Sequence, residues 1–336
     1  MPLLKSLVAR TICYCMFASI ALVPHFSYAQ DPHAAEVEQM RIWYNPALKT
    51  DKTPLAHLNL RSVNYPGIIS YNSKAATVEL LFVGADKTEY DNIPFVSSSV
   101  GIEAESSSDN FLSASTLMSA LSYALPLDYD NTYIALGFQF NYSFNRVGIQ
   151  GATYHFPEAF DHNGSLGWAF HIDPYLSGLN KGYFTMGTGF SVFHEGQRVQ
   201  WYVGGSMLDF NHPYTEWSYT SRLQSLYGLQ GGCEMPLAEN TRLNIYTNVS
   251  WQNSIEGAIN QQFFSINASR AIFYKDTSSI TASLGLGLRS DHILVPSAGM
   301  QFKKHHITGY YDLNAPGDNK KLYYRRSFAL SYKFDF

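Results

Sequence analysis

The chain has 336 residues, with 23 Lys plus Arg against 27 Asp plus Glu, 15% aromatic residues and only 15% charged ones. Its net charge of −4 excludes the basic surface that nucleic-acid binding requires. A charged fraction well below the roughly 25% of soluble domains, a mean hydropathy of −0.15 and no helix-length apolar run after Val23 point to a wall that is apolar on one side and wet on the other, which alternating strands provide.

Residues 1–29 read as a cleaved signal peptide. Lys5 and Arg10 precede the apolar stretch 11–23, and Ser27-Tyr28-Ala29 forms a small-x-small cleavage pattern. Removing this segment lowers Lys plus Arg from 23 to 21 against 27 Asp plus Glu, a net charge of −6. It also removes Cys13 and Cys15, neither in a lipobox context. Cys233 alone remains in the mature chain, so an internal disulfide is impossible there, and its Gly-Gly-Cys setting suits a small packed residue. Residues 30–53 do not alternate like a strand. They read as a periplasmic or lumenal lead-in, with a short helix over 34–44 that stops before Asn45-Pro46-Ala47.

From there a single β-barrel domain, 54–336, is expected: all-β, antiparallel and transmembrane, with about fourteen strands. The clearest strand is 132–145. Ile134, Leu136, Phe138, Phe140, Tyr142 and Phe144 share one face, while Ala135, Gly137, Gln139, Asn141, Ser143 and Asn145 share the other. Such a run matches the roughly 9–11 residues of a tilted membrane strand, with large side chains toward lipid and small or amide ones inward. Comparable patterns place strands near 54–62, 75–83, 95–105, 111–124, 182–193, 198–208, 218–233, 241–251, 259–272, 279–289, 292–303, 306–313 and 322–336. In the last, Phe328, Leu330, Tyr332, Phe334 and Phe336 alternate with Ser327, Ala329, Ser331, Lys333 and Asp335. The two charges belong in the lumen or at the rim. An even count puts both ends in the periplasm, with short turns there and long loops outside. The connections 125–131, 194–197, 234–240 and 304–305 fit the turn side. The connections 146–181, 209–217 and 314–321 fit the loop side, and 84–94 is too long for its side.

No catalytic, cofactor-binding or metal-ligating set emerges. Ser206, Asp209 and His212 lie close in sequence where a strand runs into a loop, without a nucleophile elbow. His305 and His306 are adjacent on extended chain and so point to opposite faces, which disfavours a shared metal. His155, His162 and His171 lie in the long loop without ligand spacing. Gly187-Thr188-Gly189 and Gly285-Leu286-Gly287 sit inside strands, where glycine thins the inner face or relieves curvature; a phosphate cradle needs a strand-to-helix junction. Asn-x-Ser sequences at Asn141, Asn163, Asn248 and Asn267 matter only in a eukaryotic secretory pathway. The long 146–181 loop carries Phe156, Phe160, Trp168, Phe170 and Tyr175, a composition suited to protein contact or to capping the barrel mouth.

Several blocks together resemble the PorP/SprF membrane proteins of the type IX secretion system. Met40-Arg41-Ile42-Trp43-Tyr44-Asn45-Pro46-Ala47 is similar to that family's opening block, and Arg61 through Tyr65-Pro66-Gly67 to its Arg-x-x-Trp-x-Gly segment. Leu121-Ser122-Tyr123-Ala124-Leu125-Pro126-Leu127 resembles its strand entering a Leu-Pro turn. The Phe-Pro loop at 156–163, the strand at 183–193, Trp201-Tyr202-Val203-Gly204-Gly205-Ser206, Gly309-Tyr310-Tyr311-Asp312 and the terminal strand follow in order. Tyr65 stands where the family has Trp, and Leu48 where it has an aromatic. The resemblance implies a non-enzymatic bacterial outer-membrane protein without a cofactor. Its partners would be the lipid bilayer, other type IX subunits and a large secreted cargo, such as a gliding-motility adhesin, whose export or surface retention it assists. A passive porin or small hydrophobic-solute transporter is the alternative, and a barrel hydrolase a third.

Overall fold

The structure, a computed structural model, describes residues 40–48, 53–65, 69–83, 93–107, 112–127, 131–147, 181–196, 198–214, 222–238, 240–254, 257–275, 278–289, 293–314 and 326–336. One short helix, α1 (Arg41–Tyr44), precedes fourteen strands: β1 (Leu55–Tyr65), β2 (Ile69–Val83), β3 (Phe95–Ser107), β4 (Leu112–Pro126), β5 (Thr132–Val147), β6 (Lys181–Glu195), β7 (Gln200–Leu208), β8 (Leu226–Ala238), β9 (Thr241–Ser254), β10 (Gly257–Lys275), β11 (Ser278–Arg289), β12 (Ile293–Phe302), β13 (His305–Asn314) and β14 (Arg326–Asp335). Each pairs antiparallel with its sequence neighbours, and β1 closes on β14 from Leu55 opposite Asp335 to Asn64 opposite Arg326. Closure leaves no free sheet edge, which is the condition for strands to span a bilayer. The backbone amide of Phe336 donates to the carbonyl of Pro54 (3.0 Å), extending the seam to the last residue.

Alternation sets the two faces. In β5, Ile134, Leu136, Phe138, Phe140, Tyr142 and Phe144 all point outward and stay exposed, Leu136 at 61%, whereas Tyr133, Ala135 and Gln139 are buried inside. Outward residues elsewhere, such as Leu121, Phe190, Leu284 and Ile307, are also exposed. A surface this apolar is stable only against lipid. Aromatic pairs stand toward the strand ends: His194 over Trp201 (6.1 Å) at one end, and Tyr227 over Trp251 (5.8 Å) at the other. Amphipathic rings favour the headgroup level of a bilayer.

All fourteen expected strands are present, and two begin elsewhere than expected. β2 starts at Ile69 rather than near 75, because its upper part carries the exposed outward residues Asn72 and Lys74 and so lacks the apolar alternation that marks a strand. β8 starts at Leu226; Arg222 instead forms an isolated bridge with Tyr214. The expected opening of β14, 322–325, lies outside the described residues. Length alternation holds only in part, since 66–68, 108–111, 255–256 and 290–292 are as short as turns at the end that carries the long 148–180 connection. We call that the loop end, and the end carrying Leu55 and Asp335 the turn end. Most of 84–94 lies outside the described residues, as do 1–39, the loop aromatics and His155, His162 and His171.

Candidate functional site: a lumen divided between a packed segment and a polar cavity

Residues 40–48 lie inside the barrel against the inner face of β3 and β5–β7, outside the sheet ladder and with nearly every side chain buried. A chain can lie there because the wall has been thinned beneath it. A Cβ added at Gly137 would come 2.5 Å from the carbonyl carbon of Pro46 and 2.6 Å from the nitrogen of Ala47. At Gly189 it would stand 2.1 Å from Asn45 Oδ1, at Gly204 2.8 Å from Asn45 Nδ2, and at Gly101 2.7 Å from Trp43 Cζ2. Four strands each give up a side chain where this segment crosses them, the usual reason for glycine where backbones approach closely.

Asn45 holds the crossing. Its Nδ2 lies within hydrogen-bond reach of three acceptors: the carbonyls of Phe190 (3.2 Å) and Gly205 (3.1 Å) and Gln230 Oε1 (3.1 Å). Its Oδ1 accepts from the backbone amide of Ala47 (2.9 Å), which fixes the turn into Pro46. Ser191 Oγ donates to the Ala47 carbonyl (2.6 Å), and Trp43 Nε1 donates to Thr77 Oγ1 (2.8 Å). Buried polar groups must be satisfied, and here wall and segment satisfy each other. Toward the turn end, Phe95, Tyr133 and Phe193 form an aromatic cluster, with Tyr133 stacked on Phe193 at 5.2 Å and Phe95 at 5.6 and 6.2 Å. Tyr202, Tyr246 and Phe263 continue it, and the Arg41 guanidinium sits 5.0 Å over the Tyr202 ring. This half of the lumen is a dry core.

The other half is wet. A polar cavity of about 490 Å³ is lined by Arg41 and Leu48 of the segment and by hydroxyl, amide and charged side chains of the wall, among them His57, Asn244, Thr281 and Lys333. Its charges are largely paired: Arg242 with Glu234 (2.6 Å), Lys333 with Asp335 (3.3 Å), and His306 Nε2 with Asp335 (2.8 Å). Nearer the loop end, Asp312 Oδ2 takes Arg289 at 3.3 Å and Arg61 at 3.9 Å, while Arg61 Nε donates to Ser327 Oγ (3.2 Å). Arg61, Arg289 and Asp312 are buried, so this sector of the inner face is closely packed.

The residues weighed for chemistry are held apart or committed elsewhere. Ser206 is on the inner face of β7, and its Oγ accepts from Gln230 Nε2 (3.5 Å). Asp209 and His212 lie in the turn beyond β7, where His212 Nδ1 meets the Leu223 carbonyl (3.0 Å). Burial pushes the Asp209 carboxyl up to about 6, against the opposing pull of a Thr185 hydrogen bond and the nearby His212. His305 faces outward onto Phe334 (5.0 Å), while His306 faces inward to Asp335. Gly285 and Gly287 line the inner face, where added Cβ atoms would meet Asn267 Oδ1 and the Phe263 ring. Cys233 is buried in β8. Of the two places the sequence left open for the lead-in, periplasmic or lumenal, residues 40–48 take the lumenal one; what sequence reasoning missed is the fit between this segment and the wall. The signal for it is Trp43-Tyr44-Asn45-Pro46-Ala47, an apolar block without strand period, read together with inner-face glycines on four strands.

A closed, antiparallel barrel with an apolar belt and a side-chain-filled interior is a transmembrane barrel of the outer-membrane type. Residues 29–334 match the model of the type IX secretion system membrane protein PorP/SprF family, and the chain belongs to that family. It is therefore an outer-membrane barrel of that secretion system. No curated protein matches it. Among solved structures, the toluene transporter TodX of Pseudomonas putida aligns at 9% identity and TM-score 0.48, covering 93% of this chain and 95% of that one. A Pseudomonas aeruginosa FadL homologue aligns at 10% identity and TM-score 0.45, over 92% and 95% of the two chains. CdiB from Escherichia coli aligns at 9% and 0.46, over 85% and 63%. At these identities the likeness concerns the barrel alone.

Proposed function

We propose that this chain is a non-enzymatic docking barrel. It sits with its turn end in the periplasm, where a signal peptide ending at Ala29 would deliver it, and assists the export or surface retention of a large secreted protein such as a gliding adhesin. The observation that carries this reading is the partly occupied lumen. Residues 40–48 pack against one side of the inner face, and the buried Arg61–Asp312–Arg289 cluster stands nearer the loop end. A barrel built this way offers its rims and loops as a scaffold rather than a wide bore. The aromatic residues of the 148–180 connection supply the composition of a protein-contact surface.

A strain lacking the chain is expected to lose surface display of at least one large type IX cargo while its other outer-membrane barrels stay normal. Unchanged display of every cargo would refute the reading. The polar cavity of about 490 Å³ favours a second reading, a passive porin or small-solute channel. Steady conductance of the purified full chain in planar bilayers would support the channel; silence supports docking.

A further inference from the structure

We propose that the inner face of β3 and β5–β7 is a peptide-binding groove, and that residues 40–48 are its resident ligand rather than part of the wall. The ligand class is a short peptide in which two aromatic residues precede an Asn-Pro turn. This goes beyond the docking reading, to which it adds a second, internal binding site.

Three independent features of the barrel support it. The segment makes no ladder pairing with any strand, so the fourteen-strand cylinder is complete without it. The groove has a shape of its own: glycines on four separate strands leave room where Trp43, Asn45, Pro46 and Ala47 cross. Recognition is specific and polar at one point, where the Asn45 side chain reaches two main-chain carbonyls and Gln230 while Ser191 caps the Ala47 carbonyl. Trp43 adds an apolar anchor with its indole N–H satisfied by Thr77. Aromatic anchors flanking a small set of placed hydrogen bonds are how peptide sites achieve both affinity and selectivity. Because six residues link Leu48 to Leu55, the resident peptide is held at a high effective concentration, and a peptide from outside competes only when the resident one is weakened.

The test uses the full-length chain with Asn45→Ala, folded in detergent and checked by heat-modifiable gel migration. The probe is a fluorescent synthetic peptide with the sequence of residues 40–48. Saturable one-to-one binding is expected, at least tenfold tighter than for the same peptide with its Asn replaced by Ala, and at least tenfold weaker when Gly189→Val is added to the barrel. A second measurement covers the case in which Asn45→Ala does not fold. In the chain carrying Cys13→Ser, Cys15→Ser, Cys233→Ser and Ala47→Cys, the single thiol is expected to become reactive to maleimide at urea concentrations where the barrel still migrates as folded. Absence of saturable binding, equal binding of the two peptides, or thiol exposure only as the barrel itself unfolds would each overturn the proposal. Loss of cargo display in the deletion strain would be untouched by any of these results, so the two readings fail separately.

Discussion

Single side chains decide what fills the lumen. Asp312 lies between two guanidinium groups at 3.3 and 3.9 Å with almost no exposure, so its charge is tolerable only while both partners remain. Breaking such a cluster strands a buried charge, whereas replacing it whole by apolar groups does not. Asp312→Leu alone is therefore expected to lower barrel stability by about 3 kcal/mol or more, and the triple change with Arg61→Met and Arg289→Met to recover most of that loss. Urea titration in detergent reads both. Asp209, beyond the end of β7, behaves differently. Its carboxyl titrates at about 6, above its ordinary value of 3.8, so the folded chain holds that proton more tightly than the unfolded one. The stability this contributes is complete below about pH 4 and is lost as pH rises through about 6. Asp209→Asn is expected to be more stable than the natural chain at pH 8 by about 1–2 kcal/mol, with the difference vanishing below pH 4.

Elements were legible wherever lipid imposes alternation. β5 can be read residue by residue because each outward position must be apolar, and the structure keeps all six outward side chains of Ile134–Phe144 exposed. On that basis Phe138→Lys is expected to cost about 2–4 kcal/mol and to weaken the heat-modifiable folded band, whereas Asn141→Lys, one of the inward series, leaves it largely intact. Legibility failed at the upper part of β2, where Asn72 and Lys74 face outward beyond the apolar belt and alternation no longer separates lipid from water. At residues 40–48 the lumenal position was one of two readings, and the contacts that hold the segment there were not legible. A segment bound inside a barrel follows the local shape of the wall and so has no period of its own. Gly137, Gly189 and Gly204 serve that crossing, although from sequence a glycine in a strand reads equally as relief of curvature. The terminal strand was plain from its dyad, and the bond from Phe336 to Pro54 shows its last residue joined to the start of the barrel. Deleting Phe336 is expected to slow assembly into the folded barrel, measured as the rate at which the heat-modifiable form appears in cells.

At the scale of the whole molecule, wall and interior answer to different demands. The wall is a closed cylinder whose apolar outside and β1–β14 seam suit it to a bilayer. The interior is divided between an apolar half packed around Asn45-Pro46-Ala47 and a polar half with paired charges and a cavity of about 490 Å³. Membership of the PorP/SprF family sets that barrel in the type IX secretion system, where docking is the role proposed for it. The most direct test is in-cell cross-linking followed by affinity capture of the tagged chain from solubilised outer membranes. A large type IX-exported protein is expected to be recovered with it, and to be lost when 148–180 is replaced by a short turn in a barrel that still folds. Recovery of the barrel without any exported protein, together with steady conductance of the purified chain, would contradict it.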